Sequence, residues 1–220
     1  MIASVHVPKT AGRSFLAFLR DEFGADRICE DWRAGPRIEG GVGPVAAFVQ
    51  DLRGHQNRIG NYLRRHSFDC VHGHFLASKY AFMGTPMVAW VRDPVERVAS
   101  HHAYQRRHPD PHNSHSAAIL NEMSLIEFAA LPRMRNLQSR YLDVPLERFA
   151  FIGRTEHFAS DLRRAGAVLR LRVQKPPRTN INPDKKGERY DISTRDRARI
   201  LALNQEDAKL YDRVSEVFHS

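Results

Sequence analysis

Short strand-forming runs, separated by segments with helical spacing, constrain the fold of this chain more than any other feature. The four runs are Ile2–Val7, Phe68–His72, Met87–Val91 and Phe149–Ile152. After the first run, residues 14–23 carry apolar side chains three and four positions apart, as one face of a helix does. Strands that alternate with helices predict an α/β fold with a mainly parallel sheet flanked by helices. A length of 220 residues suits a single domain over residues 1–220.

Further local signals predict where other elements begin and end. Asp93 followed by Pro94 predicts a helix start, and Ser124 and Glu127 have the spacing of a capping box. Thr155 predicts another helix cap. The remaining predictions are helices near 45–52, over 116–131, over 134–142 and near the chain end, a loop over 33–44, and a basic, proline-containing loop over 170–189.

Composition limits the partners but does not choose among them. Lys and Arg outnumber Asp and Glu by 34 to 25, giving a net charge of +9, which favours nucleotides, acidic polysaccharides or nucleic acids. No apolar run approaches the roughly 20 residues that cross a bilayer, so we predict no membrane span. The first residues lack the features of a signal peptide, so we expect a cytoplasmic location. The two cysteines, Cys29 and Cys70, form no C-x-x-C pair, and we expect neither a zinc site nor a disulfide.

The loop that follows the first run has the character of an anion site. It reads Pro8-Lys9-Thr10-Ala11-Gly12-Arg13-Ser14. Gly12 allows a close approach of the backbone, the following helix presents free N–H groups, and Lys9 adds a full positive charge. The order G-x-x-x-x-G-K-[ST] of a nucleoside triphosphatase is missing. The same residues are also consistent with an ordinary strand-to-helix turn that carries a surface lysine.

A second polar motif follows the buried run Met87–Val91. It reads RDPVERVASHHAY from Arg92 to Tyr104, and helical spacing places Arg97, Ser100 and Tyr104 on one face. Arg92 and Ser100 could then contact one anion above the first turns of the helix. In the alternative interpretation Asp93 is only a cap and Arg97 is solvated. Histidines at 101, 102, 108, 112 and 115 form either a rim for an acidic glycan or a solvated loop.

The third motif, His72-Gly73-His74, follows the run that ends near Val71. A histidine at the carboxyl end of a strand suits proton transfer near neutral pH. Structural histidines are also common, and a metal is conceivable with two of them. No further residue has a recognisable ligand spacing, so we predict no metal site.

Together these motifs resemble a known family. PKTAGRS, HGH and RDPVERVASHHAY, in that order, resemble the sulfotransferases that use 3′-phosphoadenosine 5′-phosphosulfate (PAPS), and among these the carbohydrate branch with the heparan sulfate and uronyl 2-O-sulfotransferases. FIGRTEHF and Asn136–Leu142 are similar to further family stretches. The resemblance implies a P-loop-like sulfotransferase fold, PAPS as donor, 3′-phosphoadenosine 5′-phosphate (PAP) as product, and a hydroxyl acceptor, which we expect to be a glycan.

The resemblance also implies roles for particular residues. His74 would be the catalytic base with His72 supporting it, and Lys9 would assist the leaving group. Arg92 and Ser100 would hold the 3′-phosphate, and the loop over 170–189 would close over the nucleotide. The residues implied for the 5′-phosphosulfate end are Lys9, Thr10, Ala11, Gly12, Arg13 and Ser14.

Two other classes of function remain open from the sequence. A P-loop nucleotide kinase would need ATP and magnesium, and the missing Walker order disfavours it. A non-enzymatic binder of acidic polysaccharide or nucleic acid would account for the charge. However, the basic residues are not interleaved with aromatic residues in a nucleic-acid-binding pattern, so we expect no nucleic-acid partner.

Overall fold

Among the residues that the structure describes, five parallel strands form one sheet in the order β2-β3-β1-β4-β5. The computed structural model describes residues 1–34, 63, 67–108, 122–174, 176–177, 187 and 189–219. The strands are β1 Ile2–Val5, β2 Ile28–Ala34, β3 Cys70–Phe75, β4 Met87–Val91 and β5 Phe149–Arg154. The predicted α/β class with a parallel sheet is confirmed.

Helices cover both faces of this sheet. Their bounds are α1 Gly12–Phe23, α2 Ser78–Ala81, α3 Pro94–Arg107, α4 Leu125–Ala130, α5 Leu137–Tyr141, α6 Phe158–Leu169, α7 Thr194–Leu203 and α8 Gln205–His219. On one face, Val5, Ala89 and Val91 pack with Tyr141 and Val214. On the other face, alternate strand residues pack with α1 and α6, and these include Val88, Trp90, Phe15 and Leu162. Both faces are therefore buried, as a parallel sheet requires.

Two of the predicted helix starts are confirmed. The Asp93 side chain accepts a hydrogen bond from the Glu96 N–H at 2.9 Å. Ser124 and Glu127 form the complete capping box. These caps satisfy N–H groups that the first helical turn leaves without intrahelical partners. The cap predicted at Thr155 is wrong, because the N-cap of α6 is His157, and the Thr155 hydroxyl instead donates to the Val91 carbonyl at 2.9 Å.

Other predictions differ from the structure or lie outside it. Residues 33 and 34, predicted as loop, belong to β2. The helix predicted over 134–142 is shortened to α5, because Asn136 adopts a left-handed conformation (φ 48°) after a 3₁₀ turn. The helix near 45–52, the rest of the loop over 33–44 and residues 116–121 lie outside the described residues. The helix predicted over 116–131 is too long where the structure describes it, because residues 123 and 124 are not helical and α4 begins only after the Ser124 cap. Within the described ranges, no helix has the length and apolar character to cross a membrane.

The order of the strands creates a crevice at one edge of the sheet. The chain leaves β1 toward β2 on one side, whereas it leaves β4 toward β5 on the other. Because β1 and β4 are neighbours, the loops that follow them diverge, and ligands of open α/β sheets bind at such a divergence. The Lys9 loop follows β1 and Arg92 follows β4, so both lie at this crevice.

Gly73 offers a test of the strand arrangement. A Cβ atom at this position would lie 1.8 Å from the Asp31 carbonyl oxygen of β2. We expect Gly73→Ala to force β2 away from β3 and to lower the free energy of unfolding by about 3 kcal/mol. Chemical denaturation would measure the change. Gly84→Ala is the control, since no atom lies within 4 Å of its Cβ position; its positive φ of 64° should cost only about 1 kcal/mol. Equal losses in the two variants would contradict this account.

Candidate active site

The loop after β1 leaves its backbone N–H groups available to an anion. Lys9 and Ala11 both have left-handed backbone conformations, with φ of 71° and 62°. The buried Thr10 hydroxyl donates to the Val7 carbonyl at 2.8 Å, which fixes the turn from within. Ala11 is the N-cap of α1 and supplies no side-chain acceptor. The start of this 12-residue helix therefore has the properties of an anion site.

Gly12 is needed for a reason that the sequence did not reveal. A Cβ atom there would lie 1.9 Å from the His6 ring, so the absence of a side chain makes room for that imidazole. His6 itself is buried, and its backbone N–H donates to the Gly73 carbonyl at 2.8 Å. The ring of His6 lies 4.4 Å from that of His74, measured between centroids. Gly12 thus connects the anion loop to the histidine motif.

His74 has the protonation state that a base requires. Its Nδ1 lies 2.7 Å from the His6 carbonyl oxygen. A carbonyl can only accept, so Nδ1 carries the proton and Nε2 keeps its lone pair in the neutral ring. Burial lowers the pKa of His74 below the usual histidine value, the His6 carbonyl partly opposes this, and Arg13 adds to the lowering. The imidazole is therefore neutral at neutral pH.

His72 lies deeper than His74 and has different surroundings. It is fully buried, and its Nδ1 lies 2.8 Å from the Ser4 hydroxyl oxygen. Burial lowers its pKa to about 3, followed by the charges of His74 and Arg20. Its ring lies 5.2 Å from that of His6. His72 can therefore affect His74 through the His6 ring but has no access to solvent. In the part of the chain that the structure describes, no group of histidine, cysteine and carboxylate side chains is arranged to hold a metal ion.

Aromatic side chains that the sequence analysis missed surround His74. The Trp32 ring lies 5.0 Å from the His74 ring, and the Tyr141 ring lies 6.3 Å from it. Trp32 is 41% exposed although it also contacts the rings of His6 and His72. Its indole N–H donates to the Glu30 carboxylate at 3.0 Å, which holds the ring in place. Trp32 lies on β2, a strand that the sequence analysis did not predict. Recognising that strand would have been the signal that places Trp32 beside the histidine motif.

Arg92 joins the second motif to the first. One guanidinium nitrogen lies 3.4 Å from the Lys9 carbonyl oxygen, so the loops after β4 and β1 are in contact. The carboxylates of Glu96 and Glu156 lie 3.9 Å from the same guanidinium. The side chain is only 12% exposed, so these charges interact with little screening by solvent. The predicted proximity of Lys9 and Arg92 is therefore observed.

The backbone of Arg92 is held by the Gln138 side chain. The amide oxygen of Gln138 accepts from the Arg92 N–H, and its amide nitrogen donates to the Arg92 carbonyl, both at 2.8 Å. Asp207 in turn accepts from the backbone N–H groups of Gln138 at 3.1 Å and of Ser139 at 2.9 Å. The Asn136–Leu142 stretch thus positions the arginine, a role that no local pattern indicates.

The other members of the second motif have separate environments. Arg97 is completely buried and donates to the Met134 carbonyl at 2.7 Å, so the alternative in which it is solvated is wrong. Ser100 lies two turns along α3 and is 9% exposed. The Tyr104 ring lies under the Lys9 ammonium, with 3.8 Å between Nζ and the ring centroid.

Positive charge concentrates around Lys9. Burial lowers its pKa to about 8, followed by the charges of Arg92, Arg107 and Arg13. These three guanidinium groups are close enough to disfavour the charged form of Lys9. The same positive charges would stabilise a bound polyanion. An anion with more than one charge is therefore the ligand that this electrostatic environment favours.

The predicted histidine cluster is only partly described. His101 is largely buried, and its pKa is lowered to about 3 by burial, then by Arg97 and Lys9. A ring nitrogen of His102 lies 2.9 Å from the Met123 carbonyl, and the His108 ring stacks on Tyr104. Residues 112 and 115 lie outside the described residues.

Most of the basic loop over 170–189 also lies outside the described residues, but both of its ends are visible. The Arg172 N–H donates to the Glu22 carboxylate of α1 at 3.2 Å. After the loop, the Tyr190 N–H donates to both oxygens of Glu96, at 3.1 and 3.2 Å. The chain thus returns next to Arg92, whereas closure over a nucleotide stays a prediction.

Comparisons with known proteins give distant similarities. No protein-family model and no curated protein match the chain. A sulfotransferase from Alicyclobacillus acidocaldarius is 16% identical with a TM-score of 0.47, covering 99% of this chain and 95% of its own. Mouse sulfotransferase SULT7A1 complexed with PAP is 13% identical with a TM-score of 0.42, covering 98% and 83%. Both TM-scores are below 0.5, so the similarities are remote.

The two hydrogen bonds between the Gln138 amide and the Arg92 backbone, here called the Gln138 clamp, generate a prediction about stability. Gln138→Leu keeps a similar volume but leaves the Arg92 N–H and carbonyl without the two amide partners, which should lower the free energy of unfolding by about 2 to 4 kcal/mol. Gln205→Leu, at an exposed position of α8, is the control and should change it by less than about 0.5 kcal/mol. Denaturant unfolding monitored by circular dichroism would measure both. A Gln138→Leu variant as stable as the control would show that the clamp is not needed.

Proposed function

We propose that the chain is a sulfotransferase that moves a sulfuryl group from PAPS to a hydroxyl group of a carbohydrate. One observation carries the proposal: at a single edge of the sheet, an uncapped helix start with Lys9, the Arg92 guanidinium and a histidine with a free Nε2 lie together. An anion loop alone would suit many proteins. The neutral histidine adds a base for a hydroxyl, and the arginine adds a place for a second anionic group.

The donor is proposed from the distribution of charge. Residues 9–14 would hold the 5′-phosphosulfate, since the loop offers N–H groups and one lysine. Arg92 and Ser100 would hold the 3′-phosphate, with the guanidinium of Arg92, whose side chain is 12% exposed, able to donate more than one hydrogen bond to it. A triphosphate with magnesium would call for the longer Walker loop and an acidic metal ligand, whereas residues 8–14 lack the Walker order.

The chemical step is in-line transfer in which each side chain has one task. His74 Nε2 takes the proton of the acceptor hydroxyl while the hydroxyl oxygen forms a bond to the sulfur of PAPS. At the same time the bond between sulfur and the 5′-phosphate oxygen breaks. Lys9 and the N–H groups of the loop stabilise the negative charge that develops on that phosphate oxygen. His72 would act indirectly, by holding His6 and thereby the ring of His74. This scheme assigns no role to a metal ion.

The acceptor is proposed to be a glycan because of the surroundings of His74. Trp32 presents an exposed aromatic surface 5.0 Å from the base, between ring centroids. Aromatic side chains at binding surfaces combine an apolar face with little conformational freedom to lose, which suits the apolar face of a sugar ring. The cytoplasmic location expected from the sequence stays a prediction.

Ligand-dependent thermal stability tests the donor. PAP should raise the unfolding temperature, by mass action on the folded state, whereas ATP with magnesium should give a much smaller shift. A shift with ATP and magnesium alone would favour a kinase, and a shift with heparin alone would favour a non-enzymatic binder. Either result would overturn the proposed donor.

Two substitutions should separate the base from the nucleotide site. His74→Ala should lower turnover about 10²- to 10⁴-fold, the usual contribution of a general base, while affinity for PAP stays nearly unchanged. Arg92→Ala should weaken PAP binding about 10- to 100-fold, because a charge-assisted hydrogen bond is lost. Isothermal titration with PAP and transfer of labelled sulfate would measure the two effects.

Matched variants on α3 control for the loss of an imidazole or a positive charge. His102→Ala should keep turnover, since that ring contacts the Met123 carbonyl. Arg106→Ala removes an exposed charge and should change PAP affinity by less than about threefold. Full turnover in His74→Ala would refute the base, and unchanged affinity in Arg92→Ala would refute the phosphate contact.

A further inference from the structure

The contact between Lys9 and Tyr104 has no part in the function proposed above. The Lys9 ammonium lies 3.8 Å from the centre of the Tyr104 ring, well inside the range of about 6 Å for a cation–π interaction. Lys9 is in the loop after β1, whereas Tyr104 is three turns into α3. The contact therefore spans the crevice between the two motifs.

The surroundings of Lys9 explain why such a contact is needed. The groups that act on its charge are Arg13 of α1, Arg92 after β4 and Arg107 of α3, and each disfavours a further cation. The neighbouring histidines His6 and His101 are also affected by Lys9, and both are neutral because burial lowers their pKa values. With a pKa of about 8, Lys9 is close to losing its proton in the physiological range.

The Tyr104 ring is held in a defined orientation. The His108 ring stacks on it with 4.4 Å between centroids and an angle of 20° between planes. A ring nitrogen of His108 lies 3.2 Å from the Tyr104 carbonyl oxygen, one helical turn away. At the other end of the contact, the Lys9 carbonyl accepts from Arg92 at 3.4 Å. Neighbours thus fix the Tyr104 ring and the backbone of Lys9.

We propose that Tyr104 is a positioning residue that keeps the Lys9 side chain protonated and directed across the anion loop before the anion arrives. The part that Lys9 then has in catalysis rests on the proposed sulfotransferase function, but the effect of the ring on Lys9 does not. An aromatic ring suits this task better than a carboxylate. It attracts the ammonium through its quadrupole without neutralising the charge that an incoming phosphate must meet.

The proposal is tested first without any ligand. Competitive acetylation with acetic anhydride at a series of pH values, read by mass spectrometry of the peptide that contains residue 9, gives the pKa of Lys9. The exposed Lys209 provides an internal reference. In Tyr104→Leu the pKa of Lys9 should fall by about 0.5 to 1 unit, the size expected from a partly buried cation–π pair. In Tyr104→Phe, which keeps the ring, it should stay within about 0.2 unit.

The second measurement is the pH dependence of PAP binding. Protonated Lys9 favours the anion, so affinity should decline as pH rises through the pKa of Lys9. In Tyr104→Leu this decline should begin at a pH about 0.5 to 1 unit lower, whereas Tyr104→Phe should follow the unsubstituted protein. Circular dichroism spectra and unfolding temperatures confirm that each variant is folded.

The two measurements distinguish the possible failures. An unchanged Lys9 pKa in folded Tyr104→Leu overturns the inference, whether or not PAP binds. A lowered pKa without any binding of PAP supports the effect of the ring and instead refutes the proposed donor. If Tyr104→Leu does not fold, Tyr104→Met provides the same comparison, since it also removes the aromatic face. An equal fall in Tyr104→Phe would assign the effect to the hydroxyl and overturn the inference as well.

Discussion

The parallel pairing of β1 with β3 on one side and β4 on the other is the constraint on which the rest of the structure depends. Three neighbouring strands that run in one direction end at the same edge, so the Lys9 loop, His74 and Arg92 meet there without any long excursion of the chain. Helices on both faces exclude solvent from these strands. The buried backbone ladder of β3, β1 and β4 then holds the loops at a fixed separation. Gly73 in turn allows β2 to approach β3 at the edge of the same sheet.

Four of the five strands that the structure describes were predictable because most of their side chains are apolar and buried. β2 was missed, since an edge strand gains its stability from pairing with β3 and can carry polar residues such as Glu30 and Asp31. The predicted length of α5 was wrong for a related reason. Asn136 adopts a left-handed conformation and accepts from the backbone of α8, a tertiary contact that overrides the helical spacing of the sequence.

The candidate site was predictable where function follows directly from a strand end. Lys9 and Arg92 each come shortly after a strand, and residue type then indicates the chemistry. The prediction that the His72-Gly73-His74 motif follows a strand is wrong, because all three residues lie within β3, with His74 one residue before its end. Residues that support them were not predictable, because their roles depend on partners far along the chain. Gln138 is 46 residues from Arg92, and the His6 carbonyl acts on His74 across 68 residues. Only folding creates these pairs.

Lys9 and Ala11 adopt left-handed conformations although neither is glycine. Such a conformation costs an L-residue about 1 kcal/mol or more, so the surrounding structure, including the internal bond of Thr10, must enforce it. This conformational free energy is a cost of folding, so it is not an additional cost of binding an anion. In the proposed function, binding would therefore freeze little additional backbone motion, and this preorganisation would suit a short loop with one lysine to a small anionic group.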